Sequence, residues 1–316
     1  MLRSRGVLPH LCLAFLTSSV SLVGLLASVP TAGAQDLRAR IDSLTRAAGA
    51  EVAVAYRTLD GRDELLVRAD ADFHAASTMK VPVMIELFRQ VDAGKVTLDA
   101  SLPVSNAFKS IVDGSPYSLE VTDDSDEGAI YRSIGKTLTL RELCVAMITV
   151  SSNLATNLLI EKLGVENIQR TVKALGADGM RVRRGVEDSK AFQQGLNNVT
   201  TARGLLVLLD AIASGKAASP ASTREMIDIL QQQKFNDAIP AGLPPGTAVA
   251  HKTGTITRIQ HDAGIVYATR PYVLIVLVRG IQDEKKGHAL IADISRQIFA
   301  QAQAAPAKPT AVKSRE

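Results

Sequence analysis

The chain has 316 residues, of which 46% are hydrophobic, and its formal charge is +4. A chain of this length can bury roughly 75% of its extended surface, so it can form a large hydrophobic core. Arg3 and Arg5 lie in a segment that we expect to be removed, which lowers the formal charge by two, to +2. So small a positive charge gives no basis for nucleic-acid binding.

Residues 1–34 have the pattern of a signal peptide. A charged start precedes an apolar run over residues 7–29, and Ala32-Gly33-Ala34 forms an A-x-A cleavage site before Gln35. We therefore expect an exported protein, periplasmic or secreted, that keeps no stable membrane contact once the leader is cleaved. The apolar run approaches the roughly 18–20 residues that can span a bilayer, so an uncleaved anchor is the alternative.

Cysteine usage argues against disulfides. Cys12 lies in the leader and Cys144 is the one other cysteine, so the mature chain cannot form an intramolecular disulfide. Cys144 lies within the apolar run over residues 143–148, which predicts a buried small side chain and not a reactive thiol.

The mature chain opens with a predicted helix and a strand hairpin. Apolar residues at helical spacing predict a helix over residues 37–48, and alternation predicts a strand over residues 51–57. Asp60-Gly61 is a turn signal that joins this strand to an antiparallel partner over residues 64–68.

A second helix is predicted to begin at Ser77 and to end near Asp92. Pro82 fits this start, because proline is tolerated only near the first turn of a helix. Beyond it the pattern weakens. The acidic cluster over residues 123–127 predicts a solvated loop, with an incidental cation site as the alternative.

The middle of the chain is predicted to be helical apart from one long loop. Thr139 and Glu142 fit a capping box at a helix start. Residues 180–198 are polar, irregular and too long for a plain connection, so they form a candidate functional loop. The predicted helices cover residues 139–148, 154–163, 165–175, 201–214 and 222–231.

Strand patterns return after the Pro- and Gly-rich residues 240–246. They predict strands over residues 249–253, 263–268 and 272–278, then a helix over 288–303 and a disordered tail over 304–316. Because strands lie at both ends and helices between them, we predict an α/β (α+β) fold. One antiparallel five-stranded sheet is flanked by the terminal helices, with an all-helical domain inserted. The expected boundaries are 35–76 and 240–303 for the discontinuous sheet domain and 77–239 for the helical domain.

Ser77 and Lys80 form the leading candidate for a catalytic pair. Residues three apart on a helix have Cβ atoms about 5–6 Å apart, so the Lys80 amine can reach the Ser77 hydroxyl and take its proton. A helix start also offers N–H groups without helical partners, which suit a developing oxyanion. A second S-x-x-K, from Ser133 to Lys136, contains a glycine and lacks apolar periodicity, so we discard it.

Two more short motifs occur once each in the chain. Ser151-Ser152-Asn153 offers a hydroxyl and an amide at a loop-to-helix junction. Lys252-Thr253-Gly254 ends a predicted strand, where the lysine supplies a cation and the glycine allows close approach. Taken singly, the first could be a helix cap and the second an ordinary edge strand.

In this order and these contexts, S-x-x-K, S-x-N and K-T-G form the motif set of class A β-lactamases and penicillin-binding proteins. The chain resembles a class A serine β-lactamase over about residues 36–300. Arg141-Glu142-Leu143-Cys144, Ala155-Thr156-Asn157-Leu158-Leu159 and Asp262-Ala263-Gly264-Ile265 also resemble that family. The resemblance implies the β-lactamase/transpeptidase-like fold.

The resemblance also implies an acyl-enzyme route on a small-molecule β-lactam. Ser77 would attack the lactam carbonyl, and Lys80 would accept its proton directly or through a water. The backbone N–H groups of Ser77 and Thr255 would hold the oxyanion. Ser151, aided by Lys252, would pass a proton to the leaving nitrogen.

The same resemblance implies the substrate-binding residues. Asn153 would bind the side-chain amide of the substrate, and Thr253 with Thr255 would bind its carboxylate on the strand that contains Gly254. No metal or other cofactor is implied, and we expect a monomer. A zinc site is not expected either, because His74, His251 and His261 are too few and too badly spaced to form one.

Three positions depart from the family pattern near the reacting centre. Glu187 is the best match to the family's deacylating glutamate, with a solvated loop carboxylate as the alternative. Ala191 stands where the family has an asparagine that holds the hydrolytic water, so deacylation is the step in question. Ser152 replaces an acid in the second motif, which puts a buried hydrogen bond in question.

Two other departures concern a disulfide and an arginine. Cys144 matches one half of a disulfide found in many members, but Met84 occupies the place of the other half. No arginine on the strand after K-T-G matches the family's carboxylate-binding arginine. Arg258 and Arg279 are the candidate substitutes.

Three functions therefore compete. The leading one is a periplasmic β-lactamase. The second is a D-Ala-D-Ala peptidase or an esterase of the same fold, which the missing asparagine favours. The third is a penicillin-binding sensor that stays acylated, which would need Glu187 to be idle and, usually, a membrane anchor.

Overall fold

The computed structural model of the protein describes residues 1–2 and 32–304. The tail predicted from residue 304 and most of the predicted leader lie outside the described residues. The first described helix, α1, spans Ala32–Ala48. It begins five residues before the predicted helix, within the predicted cleavage site, and cleavage there stays a prediction.

One five-stranded sheet forms the centre of the fold, as predicted. Its strand order is β2-β1-β5-β4-β3, and every neighbouring pair is antiparallel. The N-terminal segment supplies two strands and the C-terminal segment three: β1 (Glu51–Thr58), β2 (Glu64–Val67), β3 (Ala248–Ile256), β4 (Ile259–Tyr267) and β5 (Tyr272–Arg279).

Both faces of the sheet are covered, which explains why β5 reads as a continuous apolar run. Alternate residues of a strand point to opposite faces. Ile275 and Leu277 belong to the larger core on the side of α7 (Ala202–Ala213), whereas Val276 and Val278 belong to a second core formed with α1 and α9 (Glu284–Gln303).

The helices follow the predicted order. Most residues of the helix over Lys80–Asp92 are buried, because four other helices pack around it. The remaining helices are α2 (Lys80–Asp92), α3 (Leu140–Thr149), α4 (Asn153–Leu163), α5 (Val165–Ala174), α6 (Ser189–Gln193), α7 (Ala202–Ala213), α8 (Pro220–Gln231) and α9 (Glu284–Gln303).

Local signals in the sequence are confirmed where they rest on backbone chemistry. Thr139 and Glu142 form the predicted capping box at the start of α3. Cys144 is buried, and burial raises the pKa of its thiol to about 12, so it is a packing residue as expected. The division into two domains at residues 77 and 240 stays a prediction. Within the described part of the chain, no helix is both long and apolar enough to cross a membrane.

Gly242 lies in a short 3-10 turn over Pro240–Gly242, and this turn packs against α9. A Cβ atom at Gly242 would overlap the carbonyl oxygen of Ala292 and lie 2.8 Å from Cβ of Ser295, both in α9. We therefore expect Gly242→Ala to lower the free energy of unfolding by about 1–3 kcal/mol, as overpacking does.

Urea unfolding followed by circular dichroism measures this change. Ala241→Ser is the matched control, since Ala241 is the exposed neighbour in the same turn. Equal unfolding midpoints for the two variants would mean that the contact with α9 is not tight.

Candidate active site

Ser77 lies in a 3-10 turn over Ala76–Met79, directly before α2. Ala76 has a left-handed backbone, with φ at 45°, which turns the chain sharply before the serine. Gly254 lets β3 approach this turn, because a Cβ atom there would lie 3.0 Å from the Ser77 nitrogen. The first and third motifs therefore meet through backbone contact. The α-helix begins at Lys80, three residues after the predicted start at Ser77, so Pro82 lies in its first turn.

Ser77 lines two neighbouring cavities. One, of 530 Å³, also contains Ser151, Thr253 and residues of α9, and we call it the α9-side cavity. The other, of 410 Å³, also contains Asn153 and Glu187, and we call it the loop-side cavity. A substrate that reaches Ser77 can thus extend in two directions.

The amine of Lys80 is hydrogen-bonded to the second motif. Its Nζ donates to Ser151 O at 2.6 Å, to Ser151 Oγ at 3.0 Å and to Asn153 Oδ1 at 2.9 Å. Within residues 32–304, no side-chain hydrogen bond joins Lys80 to Ser77. The Lys80 side chain therefore links α2 to the start of α4. The sequence pairs Lys80 with Ser77, but its hydrogen bonds go to Ser151 and Asn153.

Lys252 reaches the same hydroxyl from the opposite side. Its Nζ donates to Ser151 Oγ at 3.1 Å and to Thr253 O at 2.9 Å. Both lysines are fully buried. Ser151 has a left-handed backbone, with φ at 60°, and this conformation places its side chain between the two amines.

Burial lowers the basicity of both amines. Burial lowers the pKa of Lys80 to about 7, although the carboxylates of Asp124 and Glu187 oppose that shift. Burial, with the nearby charge of Lys80, lowers the pKa of Lys252 well below its ordinary value. A neutral amine at this position can accept a proton near neutral pH.

The prediction of a solvated acidic loop is wrong for Asp124 and Asp126, whereas Asp123 and Glu127 are exposed. Asp124 and Asp126 are buried. Asp124 Oδ2 accepts the N–H groups of Asn153 at 2.9 Å and of Leu154 at 3.0 Å, so it caps the start of α4. Periodicity could not show this, because the acids and the helix that they cap are far apart in sequence.

The Ser152 hydroxyl is hydrogen-bonded to acids of this loop. Its Oγ donates to Asp126 Oδ2 at 2.9 Å and contacts Asp124 Oδ2 at 3.3 Å. The sequence put a buried hydrogen bond in question because Ser152 replaces an acid. The structure supplies the acids from residues 124 and 126 instead.

Glu187 lies in the predicted functional loop and reaches the loop-side cavity. Asn153 Nδ2 donates to Glu187 Oε1 at 3.4 Å. Burial and the negative charge of Asp123 raise the pKa of Glu187, whereas Arg184 and Lys80 lower it. Ala191 is buried and has no polar side chain; its N–H donates to Asp188 Oδ1 at 3.1 Å, and its carbonyl accepts the N–H of Leu196 at 2.9 Å.

The two candidate arginines lie elsewhere. Arg279 pairs with Glu51, and Arg258 donates to the Gly280 carbonyl at 3.3 Å. Neither is among the described residues that line the α9-side or the loop-side cavity. The structure instead places His288 Nε2 3.5 Å from Thr255 Oγ1.

Sequence reasoning missed His288 as a cavity residue. The sequence predicts that the last helix begins at His288. In the structure α9 begins at Glu284, so His288 lies one turn inside the helix and faces β3. No local signal marks that position, because the contact depends on how α9 packs on the sheet. Lys285 lines the same cavity.

Two other histidines in the described part of the chain, His251 and His261, have structural contacts. His251 Nδ1 lies 2.9 Å from Asp262 Oδ1 in the buried part of the sheet, and His261 Nε2 lies 2.9 Å from the His74 carbonyl. In the described part of the chain, no group of three or more histidine, cysteine, aspartate or glutamate side chains is arranged to hold a metal ion.

Comparison with known proteins gives one consistent result. The model of the Beta-lactamase enzyme family matches residues 36–302. A β-lactamase of Streptomyces albus G is 28% identical over 269 residues, which cover 83% of this chain and 83% of the relative.

Solved structures agree with the sequence relatives. An ancestral class A β-lactamase has 27% identity and a TM-score of 0.73, and the match covers 84% of this chain and 99% of that one. PBP-A has 28% identity and a TM-score of 0.71, and the match covers 84% of this chain and 95% of that one. A mutant of PBP-A is known as an acyl-enzyme complex with penicillin G.

The sheet, the inserted helices and the three motifs in one cleft are those of a class A-like serine hydrolase. The chain belongs to the β-lactamase enzyme family.

The buried carboxylate of Asp124 generates a prediction about stability. Asp124→Ala leaves two N–H groups at the start of α4 without their acceptor, so we expect the free energy of unfolding to fall by about 1–3 kcal/mol. Glu120→Ala, at an exposed position of the same loop, should unfold like the wild type. Chemical denaturation of the three proteins measures the difference, and equal stability of both variants would contradict the capping role.

Proposed function

We propose that the protein is a serine β-lactamase that hydrolyses the lactam amide through an acyl-enzyme on Ser77. The observation that carries the proposal is the convergence of two buried amines on Ser151 Oγ, with Lys80 at 3.0 Å and Lys252 at 3.1 Å, in a cavity shared with Ser77. Acyl transfer to a nitrogen leaving group needs a nucleophile, a base and a proton donor in one place.

In the proposed acylation step, Ser77 Oγ attacks the lactam carbonyl and the carbon–nitrogen bond breaks. Lys80 accepts the serine proton, directly or through a water, since its lowered pKa leaves much of it neutral near pH 7. Ser151 then donates a proton to the leaving nitrogen and is reprotonated by the amines beside it. The N–H groups of Ser77 and Thr255 hold the oxyanion.

Substrate binding is assigned to residues on both sides of Ser77. Thr253 and Thr255 on β3, beside Lys252, bind the substrate carboxylate, and Gly254 keeps that strand close to the nucleophile. Asn153 binds the amide of the acyl side chain. The side-chain amide of Asn153 contacts both Lys80 and Glu187. Asn153 therefore lies between the proposed base of acylation and the proposed base of deacylation.

Glu187 is the proposed base for deacylation. It shares the loop-side cavity with Ser77, and burial raises its pKa, which is suitable for a carboxylate that must take a proton from water. Ala191 has no polar side chain to hold that water. In this proposal Asn153, whose Nδ2 lies 3.4 Å from Glu187 Oε1, orients the Glu187 carboxylate.

A second candidate function follows from Ala191. If no group orients the hydrolytic water, the acyl-enzyme persists and the protein acts as a penicillin-binding protein, as the likeness to PBP-A also suggests. A D-Ala-D-Ala peptidase or an esterase would use the same acylation residues. The proposed enzyme is a periplasmic or secreted monomer that uses no cofactor and binds no nucleic acid.

Ser77 and Glu187 can be separated by intact-protein mass spectrometry. Residues 35–316 are mixed with excess benzylpenicillin and sampled from seconds to hours, while absorbance follows loss of the lactam. Wild type should show a transient adduct and steady turnover, Ser77→Ala no adduct, and Glu187→Gln a lasting adduct. The reason is that Ser77 forms the ester and Glu187 activates the water that cleaves it.

The outcomes of that experiment distinguish the candidate functions. Undiminished turnover in Glu187→Gln would remove Glu187 as the base. A lasting adduct on the wild type would favour the penicillin-binding protein, and no wild-type adduct would move the search to esters and peptides. Ser133→Ala, in the discarded S-x-x-K motif, is the control and should behave as wild type.

The lowered pKa of Lys80 predicts how acylation depends on pH. The neutral amine is the base, so the acylation rate constant should rise as pH increases through about 7 and level off above it. Glu187→Gln should retain this profile with a midpoint at somewhat lower pH, because the Glu187 carboxylate raises the pKa of Lys80.

Adduct formation at limiting benzylpenicillin, measured between about pH 5 and 9, gives the profile. A rate constant for acylation that does not change with pH would rule out Lys80 as the titrating base. Loss of the pH dependence in Glu187→Gln alone would assign the titration to Glu187.

A further inference from the structure

His74 is a histidine of the loop-side cavity that has no role in the acylation and deacylation steps above. It lies three residues before Ser77, and both residues line this cavity together with Glu187. Its side chain is partly buried. The fold therefore brings an imidazole, the nucleophile and the proposed base of deacylation into one cavity, which the hydrolytic water must enter to reach the acyl-enzyme.

Hydrogen bonding shows which ring nitrogen of His74 carries the hydrogen. Nδ1 accepts the N–H of Ala76 at 3.1 Å, so the hydrogen of the neutral ring is on Nε2. Burial and the positive charge of Arg184 lower the pKa of His74, which keeps the ring neutral near pH 7. Within residues 32–304, His74 Nε2 makes no hydrogen bond to another protein group. The ring therefore has one N–H donor to offer to a small molecule in the cavity.

The position of this ring is set by contacts that do not involve a substrate. Phe73–His74 pairs with Val199–Thr200 as two short antiparallel strands, and His261 Nε2 lies 2.9 Å from the His74 carbonyl. The imidazole also packs on Phe192, with ring centroids 6.3 Å apart and planes inclined by 68°. His74 is thus held in place before any ligand binds, as a positioning group must be.

The contact with Phe192 places His74 beside α6. Ala191, the preceding residue of that helix, stands where the family pattern has the asparagine that holds the hydrolytic water. An alanine side chain cannot form that hydrogen bond. The imidazole of His74 therefore lies next to the helix that lacks the expected polar group.

Three polar side chains of the long loop line the same cavity but are engaged within the protein. Arg184 donates to two backbone carbonyls and to Asn197 Oδ1. Asp188 accepts three hydrogen bonds, and the amide of Asn198 bonds to the backbone at residues 183 and 184. These contacts leave the His74 N–H better placed than these three side chains to bind a water.

We propose that His74 is the residue that positions the hydrolytic water for deacylation. The inference rests on the proposed function, because it needs an acyl-enzyme on Ser77 and Glu187 as the base. The water oxygen accepts a hydrogen bond from His74 Nε2, and the water donates one to the Glu187 carboxylate. The second lone pair of the water oxygen is then free to attack the ester carbonyl carbon.

The hydrolytic step balances without a further reactant. The water oxygen bonds to the ester carbonyl carbon while Glu187 takes one proton from the water. The bond from that carbon to Ser77 Oγ then breaks, and the proton passes from Glu187 to Ser77 Oγ. The products are a carboxylic acid and the regenerated serine. His74 keeps its proton throughout, because it only orients the water.

Two replacements of His74 separate its two hydrogen bonds. In His74→Asn, the side-chain oxygen can replace Nδ1 as the acceptor of the Ala76 N–H, but the side chain is too short to place a donor at the Nε2 position. In His74→Gln, the side-chain nitrogen can reach that position and donate. The first variant keeps the backbone contact before Ser77 and loses the donor, whereas the second keeps the donor.

Acylation and deacylation are measured separately with benzylpenicillin by intact-protein mass spectrometry, first after rapid mixing and then after removal of excess penicillin. We expect His74→Asn to acylate at the wild-type rate and to lengthen the acyl-enzyme lifetime about tenfold to a hundredfold, because the water is no longer oriented. His74→Gln should recover most of the deacylation rate. Ser189→Ala, which removes an exposed hydroxyl from the same cavity, is the matched control and should keep the wild-type lifetime.

Three results would overturn the inference. One is an unchanged lifetime in His74→Asn. Another is an equal slowing of acylation and deacylation, which is the sign of a merely structural role. The third is a lifetime in His74→Gln as long as that in His74→Asn. Failure of the proposed function has a different sign, because wild type would then form no adduct or an adduct that is not hydrolysed.

Discussion

The site depends on one hydroxyl that two buried amines share. Lys80 and Lys252 approach Ser151 from different elements, and water is excluded from both amines. Two ammonium groups so close together would repel each other with little screening, and burial lowers the pKa of both amines. The arrangement ties α2, α4 and β3 together around the Ser151 hydroxyl oxygen.

The buried acids beside α4 maintain this arrangement. Asp124 caps the helix that begins with Asn153, and Asp126 accepts the hydroxyl of Ser152. The same two carboxylates raise the pKa of Lys80 and so oppose the effect of burial. One loop therefore fixes the position of the second motif and raises the pKa of Lys80, and both contributions come from the two acids that are buried.

Departures from the family pattern are accompanied by other contacts in this fold. Ser152 has no carboxylate, unlike the acid that the family has at this position. Asp124 and Asp126 place two carboxylates beside its hydroxyl instead. Neither candidate for the expected carboxylate-binding arginine, Arg258 or Arg279, lines the α9-side or the loop-side cavity, whereas His288 lies beside Thr255. Ala191 provides no polar group, while Asn153 contacts the nearby glutamate. In the proposed mechanism, a replacement contact matters most for hydrolysis of the acyl-enzyme, because that step needs a water to be both oriented and activated.

The sequence by itself determined the order of the elements, the sheet with strands from both ends, the capping box at Thr139 and the three motifs around Ser77. These features depend on local periodicity and on short-range hydrogen bonds, which neighbouring residues specify. Tertiary structure alone decided that the Lys80 amine contacts Ser151, that Asp124 caps a helix 29 residues further on, and that α9 brings His288 to β3. Those contacts join residues far apart in the chain, and their geometry depends on how whole helices pack on the sheet, which no local pattern encodes.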